Sequence, residues 1–176
     1  MLQLCNPLFY KKIAIAVLFI FTTTQFSVAQ KSVHNYFNKY KPLAARLSTE
    51  YGIPMSIILG VSVIESGAGK DRNAKLLNNY FGIVGKNNLL KTKGIKTKFK
   101  AYATDEDSFI AFSKMITRKS YYEKLKDNQD YNLWINAMAK AGYSTTPLVW
   151  KKQIGNAIRR YRLDTLTATA NTPAIE

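Results

Sequence analysis

The sequence predicts a mainly α domain, a helical body with one small β or irregular lobe set near its middle. Three observations carry that expectation. Apolar residues recur at helical spacing from Tyr36 to Leu47, from Pro54 to Ile64 and from Phe109 to Tyr161. Residues 81–102 between them have glycines at 82, 85 and 94, two Lys-Thr pairs and no helical period. No internal repeat is present, so no solenoid or propeller is expected.

The chain of 176 residues opens with Lys11 and Lys12, the apolar run Ile13 to Phe21, and the small-x-small string Ser27-Val28-Ala29. This pattern is expected to be a secretory signal peptide over residues 1–29, because the apolar run is well short of the roughly 20 residues that span a bilayer. Cys5, the single cysteine, lies before that run. A mature chain would then carry no disulfide and no lipid-accepting cysteine. The expected product is one domain over residues 30–163 with a flexible tail at 164–176, exported to the periplasm, the envelope or the exterior, and monomeric.

The first body helix is expected from Tyr36, Phe37, Tyr40, Leu43, Ala44 and Leu47, with Pro42 dividing it or starting a second helix. A second should start at Pro54, run through Ile57, Ile58, Val61 and Ile64 to Glu65, and stop at Gly67. After the lobe, Thr104 and Asp107 form a capping-box pair, followed by the inward stripe Phe109, Phe112 and Ile116. The next helix is expected from about Asp130 to Ala141, with Leu133, Trp134 and Met138 inside and Gly142 past its end. The last begins with Thr146 capping and Pro147 in the first turn, and carries Trp150, Ile154, Ile158 and Tyr161 on one face.

The formal charge is +15, from 26 Lys and Arg against 11 Asp and Glu. Such an excess concentrates a protein on polyanions, and an export signal directs it to anionic envelope polymers, not to nucleic acid. His34 is the single histidine, so neither a metal site nor a nucleophile–histidine triad is expected. Gly82-Ile83-Val84-Gly85 is too short for a phosphate loop and has no Lys-Ser/Thr after it. No cofactor is expected. Chemistry falls to carboxylates.

Glu65 stands out among them. It ends an apolar helix, where the dipole disfavours negative charge, and shares a face with Ile58, Val61 and Ser62. Desolvation and the dipole both push its pKa up, as a general acid working near neutral pH requires. The same position also suits an ordinary last-turn glutamate with its carboxylate in water.

The string from Gly52 to Lys70, with Ile64-Glu65-Ser66-Gly67 at its centre, is followed by Asn78-Asn79-Tyr80-Phe81-Gly82. Later come Phe99-Lys100-Ala101-Tyr102, Asp107-Ser108-Phe109 and Ala141-Gly142-Tyr143-Ser144-Thr145. In this order, over residues 36–163, the chain resembles the glucosaminidases of glycoside hydrolase family 73. The resemblance implies a lysozyme-like fold, a cleft between helical body and lobe, peptidoglycan glycan strands as substrate, and Glu65 as general acid. It also implies that Tyr143 lines the site and that Asn79, Tyr80, Phe81 and Gly82 form cleft wall. Ser66 and Tyr102 join them as candidate substrate-binding residues. Tyr80, Tyr102, Tyr121 and Trp150 offer flat surfaces to sugar rings, although Trp150 reads best as core packing.

Glycosidases usually need a second carboxylate. In the family resembled it is sought in the small lobe, or three positions after the serine of the Ser-Phe pair. Residues 81–104 contain no Asp or Glu, and the second position is Ala111. Asp105, Glu106 and Asp107 are explained by helix capping. The expected alternative is attack by the substrate's own 2-acetamido oxygen, with Tyr143 orienting it. A wall-binding module without turnover, and a lytic transglycosylase or muramidase, are the competing readings.

Overall fold

The computed structural model describes residues 31–167. The expected signal peptide, and residues 168–176 of the tail expected at 164–176, lie outside the described residues. The compact unit containing the site begins at Tyr36.

Helix α1 covers residues 31–51 and is unbroken at Pro42, contrary to the expected division. Proline at 42 removes a bond to the carbonyl of Asn38. Both residues lie on the exposed face, where water can satisfy that carbonyl. The opposite face buries Tyr36, Phe37, Tyr40, Ala44 and Leu47.

Helix α2, Met55–Glu65, starts after Pro54, and every residue from Met55 to Val63 is buried. A helix apolar all round belongs at the centre of a core. Helix α8, Pro147–Arg160, packs against it, and the approach depends on Gly60: a Cβ there would lie 2.8 Å from Ile158 Cγ1. The end of α2 is abrupt. Gly67, Ala68 and Gly69 all take positive φ, which glycine adopts freely and alanine at a cost of about 1–2 kcal/mol. Ser66 stitches this turn, donating to the Ser62 carbonyl at 2.6 Å and accepting from the Gly69 amide at 2.9 Å.

Short helix α3, Arg72–Leu77, leads through left-handed Asn78 into the lobe. The expected β or irregular lobe is found as irregular chain joined by one antiparallel bridge, Val84 to Phe99, with a short helix α4, Leu89–Lys93. Backbone bonds from Gly85 to Lys98 and from Lys100 to Ile83 hold its two sides together. Asn79 clamps the root. Its Nδ2 donates to the carbonyls of Ile83 and Lys100, and its Oδ1 accepts from the amides of Phe81 and Ile83.

Helix α5, Asp105–Thr117, carries the expected capping box between Thr104 and Asp107 and buries Phe109, Phe112 and Ile116. The short helix α6, Tyr122–Leu125, precedes α7, Tyr131–Lys140, whose N-cap Asp130 accepts from Asn132 N. Trp134 and Met138 are buried as expected, but Leu133 is 44% exposed, lying one residue off the inward stripe. Thr146 precedes α8 without capping through its side chain, since Ser144 Oγ accepts from the Thr146 amide instead. Leu163, buried in a 3-10 turn at Leu163–Thr165, closes the described chain against α2 and α8. None of the described helices is long and apolar enough to cross a membrane.

Candidate active site

Glu65 sits at the last position of α2, placed by the sharp turn after it. Its Oε1 accepts a 2.7 Å hydrogen bond from the indole Nε1 of Trp150 on α8. Its carboxyl is half-buried. Burial raises its pKa, and the indole N–H opposes that rise in part by favouring the charged form. The net shift is upward, so the proton is retained to higher pH than on a free glutamate.

Gly82 faces it. A Cβ there would lie 3.2 Å from Glu65 Oε2, and the φ of +65° favours glycine, so a glycine gives the carboxyl its room. Tyr143, between α7 and α8, packs its ring on Trp150 with centroids 5.1 Å apart. Its hydroxyl donates to the Phe81 carbonyl at 3.0 Å. Burial first, then the neighbouring Glu65 charge, raises the phenol's pKa and keeps it neutral. Phe81 in turn stacks on Phe112 of α5 at 4.1 Å. One connected set thus runs from α2 through α8 and the lobe root to α5.

These groups open onto a cleft of about 290 Å³ lined by Glu65, Phe81, Gly82, Ile83, Val84 and Tyr143. Met115, Lys119, Tyr121, Met138, Ala141 and Gly142 complete its lining. Glu65 is the one carboxylate among the lining residues. The acids at the start of α5 are engaged elsewhere. Asp105 accepts from Lys39 and Tyr40, Glu106 pairs with Arg46, and Asp107 closes the capping box. Among the described residues no cluster of His, Cys, Asp and Glu could hold a metal ion.

Of the residues singled out from sequence, Glu65, Phe81, Gly82, Tyr121 and Tyr143 come together at the cleft. Ser66, Asn79, Tyr80 and Tyr102 are not among its lining residues. Ser66 is fully buried in the turn after α2, and Asn79 is spent on clamping the lobe root. Tyr80 packs among Tyr36, Tyr40 and Phe109. Tyr102 lines a second groove beside the cleft. Trp150 is more than the core packing expected of it, since its N–H holds the acid. A buried indole N–H needs an acceptor, but nothing in the sequence names which acid supplies it. Met115 and Met138, ordinary helix-face residues, and Lys119, in the bend after α5, were missed for want of a local mark.

The family model described as mannosyl-glycoprotein endo-beta-N-acetylglucosaminidase matches residues 41–163, well over half of the chain. The chain belongs to the glucosaminidase family. Similar solved structures include the catalytic domain of the autolysin Auto from Listeria monocytogenes, 21% identical with a TM-score of 0.61, covering 76% of this chain and 86% of that one. The FlgJ glycoside hydrolase domain from Salmonella typhimurium is 20% identical with a TM-score of 0.58, covering 74% of this chain and 88% of that one. A peptidoglycan hydrolase from Sphingomonas sp. A1 is 20% identical with a TM-score of 0.59, covering 81% of this chain and 99% of that one. No curated protein matches in sequence. The structures share the fold, which is the mainly α, lysozyme-like one that the sequence predicts.

Proposed function

We propose that this glucosaminidase-family chain hydrolyses the β-1,4 bond after N-acetylglucosamine in peptidoglycan, in the cell envelope, with Glu65 as the proton donor. The observation that carries the reading is Glu65, its pKa raised by burial, held by Trp150 at the wall of a cleft, in a chain of this family. The relatives in structure that are titled peptidoglycan hydrolase and autolysin supply the substrate class.

The single carboxylate of the cleft favours assistance by the substrate. In the first step the 2-acetamido oxygen bonds to the anomeric carbon as the glycosidic bond breaks, and the leaving oxygen takes the proton of Glu65. Water then attacks the same carbon, gives its proton to the Glu65 carboxylate, and the acetamido group is restored. The product keeps its anomeric configuration. Tyr143 spends its one hydroxyl proton on the Phe81 carbonyl, so towards the substrate its oxygen is an acceptor, suited to the acetamido N–H.

The test is mass spectrometry of fragments released from purified peptidoglycan by the wild type and by Glu65→Gln. Reducing-end N-acetylglucosamine from the wild type alone is expected. Anhydro-muramic ends would assign a lytic transglycosylase, equal release by both proteins would remove Glu65 from the chemistry, and an inverted nascent anomer in proton NMR of the reaction would end the assisted mechanism.

A further inference from the structure

Beside the cleft, and joined to it through Ile83, Val84 and Met115, runs a second groove of about 330 Å³ between the lobe and α5. Tyr102, Ala111 and the cations Lys100, Lys114 and Arg118 complete its lining. It contains no acid, residues 81–104 contain none either, and no ion pair of the described residues involves these three cations. The Lys100 ammonium lies 4.9 Å over the Tyr102 ring, set there by the close passage of Gly85 against the Lys100 stem. The Tyr102 hydroxyl is shielded from solvent and has no hydrogen-bond partner among the described residues. A structural role would have paired some of these groups. Unpaired cations around a groove that contains no acid suit a ligand with several anionic oxygens.

We infer that this groove is a subsite for the carboxylates of the peptide carried by the glycan strand, engaged while the strand lies in the neighbouring cleft. The inference rests on the glycan-cleaving reading above, which places the strand. A neutral sugar would gain little from three cations. A separate phosphate-bearing polymer would use them too, but nothing would then require the groove to share Val84 and Met115 with the cleft. A substituent tethered to the bound strand does require it, and tethering raises its local concentration at the groove.

The experiment measures binding in the Glu65→Gln background, so that it reads affinity whether or not the bond is cut. The probes are soluble strand fragments with native peptides, the same fragments with the peptide carboxylates amidated, and a polyol-phosphate polymer without peptide. Native fragments should bind about tenfold more tightly than amidated ones, the size of one charge-assisted hydrogen bond. Lys114→Gln/Arg118→Gln should abolish that preference. Both positions are exposed, so the fold should survive the change. Equal affinity for native and amidated fragments, a preference that survives the double substitution, or tighter binding of the phosphate polymer through the same two cations would each overturn the inference. Failure of the glycosidase reading would show instead in the fragment analysis of the wild type.

Discussion

Trp150→Phe isolates the indole hydrogen bond to the acid. Phenylalanine keeps an aromatic ring against Tyr143, now 5.1 Å between centroids, but removes the N–H that donates to Glu65 Oε1 at 2.7 Å. A hydrogen bond to a charged group contributes about 1.5–3 kcal/mol, and partial exposure of the carboxyl reduces that to about 1 kcal/mol. The N–H stabilises the carboxylate, so its loss leaves burial unopposed and the acid holds its proton to still higher pH. At 1.36 kcal/mol per unit, the basic limb of the kcat profile should move up by roughly 0.5–1 pH unit. Maximal kcat should fall, because the carboxyl is no longer aimed, and the smaller ring should cost stability of about 1–2 kcal/mol. The assay is fragment release against pH with a parallel melting curve. A basic limb that stays in place or moves down would refute the role given to Trp150.

Glu65→Gln should reduce turnover about 10²–10⁴-fold, and its stability should depend on pH. Folding raises the Glu65 pKa, so the wild type loses stability as pH rises from the unfolded value through the folded one. The variant should match it at acid pH, where Glu65 is protonated in both states, and melt higher at pH 8. Gly82→Ala puts a side chain at φ +65° and 3.2 Å from Glu65 Oε2. It should cost about 1–2 kcal/mol in melting experiments and lower kcat about 10²-fold by displacing the acid. Asn79→Ala removes four bonds at the lobe root and should destabilise by about 2–4 kcal/mol, with loss of protection in the lobe amides on hydrogen exchange. Asp105→Asn/Glu106→Gln, which breaks exposed pairs to Lys39 and Arg46, should cost under about 2 kcal/mol and leave fragment release in place. Lost release in that variant would return one of these acids to the reaction.

Features set by neighbours in sequence were legible before the structure. The Thr104–Asp107 capping box needs three residues, and the stop after α2 needs Gly67 and its turn. Helix α2 was legible for a different reason, since an apolar run of its length has few other places to go than the core. What escaped has long reach or little length. Helices α3 and α6 are 6 and 4 residues, too short for a period to show. Leu133 and the side chain of Thr146 were misplaced because a stripe and a cap signal each hold to within a residue, while exposure does not. The pairing of Trp150 with Glu65 crosses 85 positions, and no local pattern encodes it. Asn79 and Ser66 carried motif status and were read as cleft residues. Both turned out to build the turn and the lobe root that place Glu65 and Gly82.

That division explains why a motif can persist without touching the substrate. A general acid acts only where its carboxyl is held, and here the holding is done by three separate devices: a helix stopped by positive-φ residues, an indole from α8, and a glycine on a clamped loop. Each fixes a different freedom, namely where the helix ends, which way Oε1 points, and how near the lobe comes to Oε2. They should fail differently. Loss of the indole should move the pH profile, loss of the glycine should lower kcat, and loss of the clamp should lower stability first. A common loss of all three properties from every substitution would mean that the cleft is held as one packed unit, and that no single contact tunes the acid.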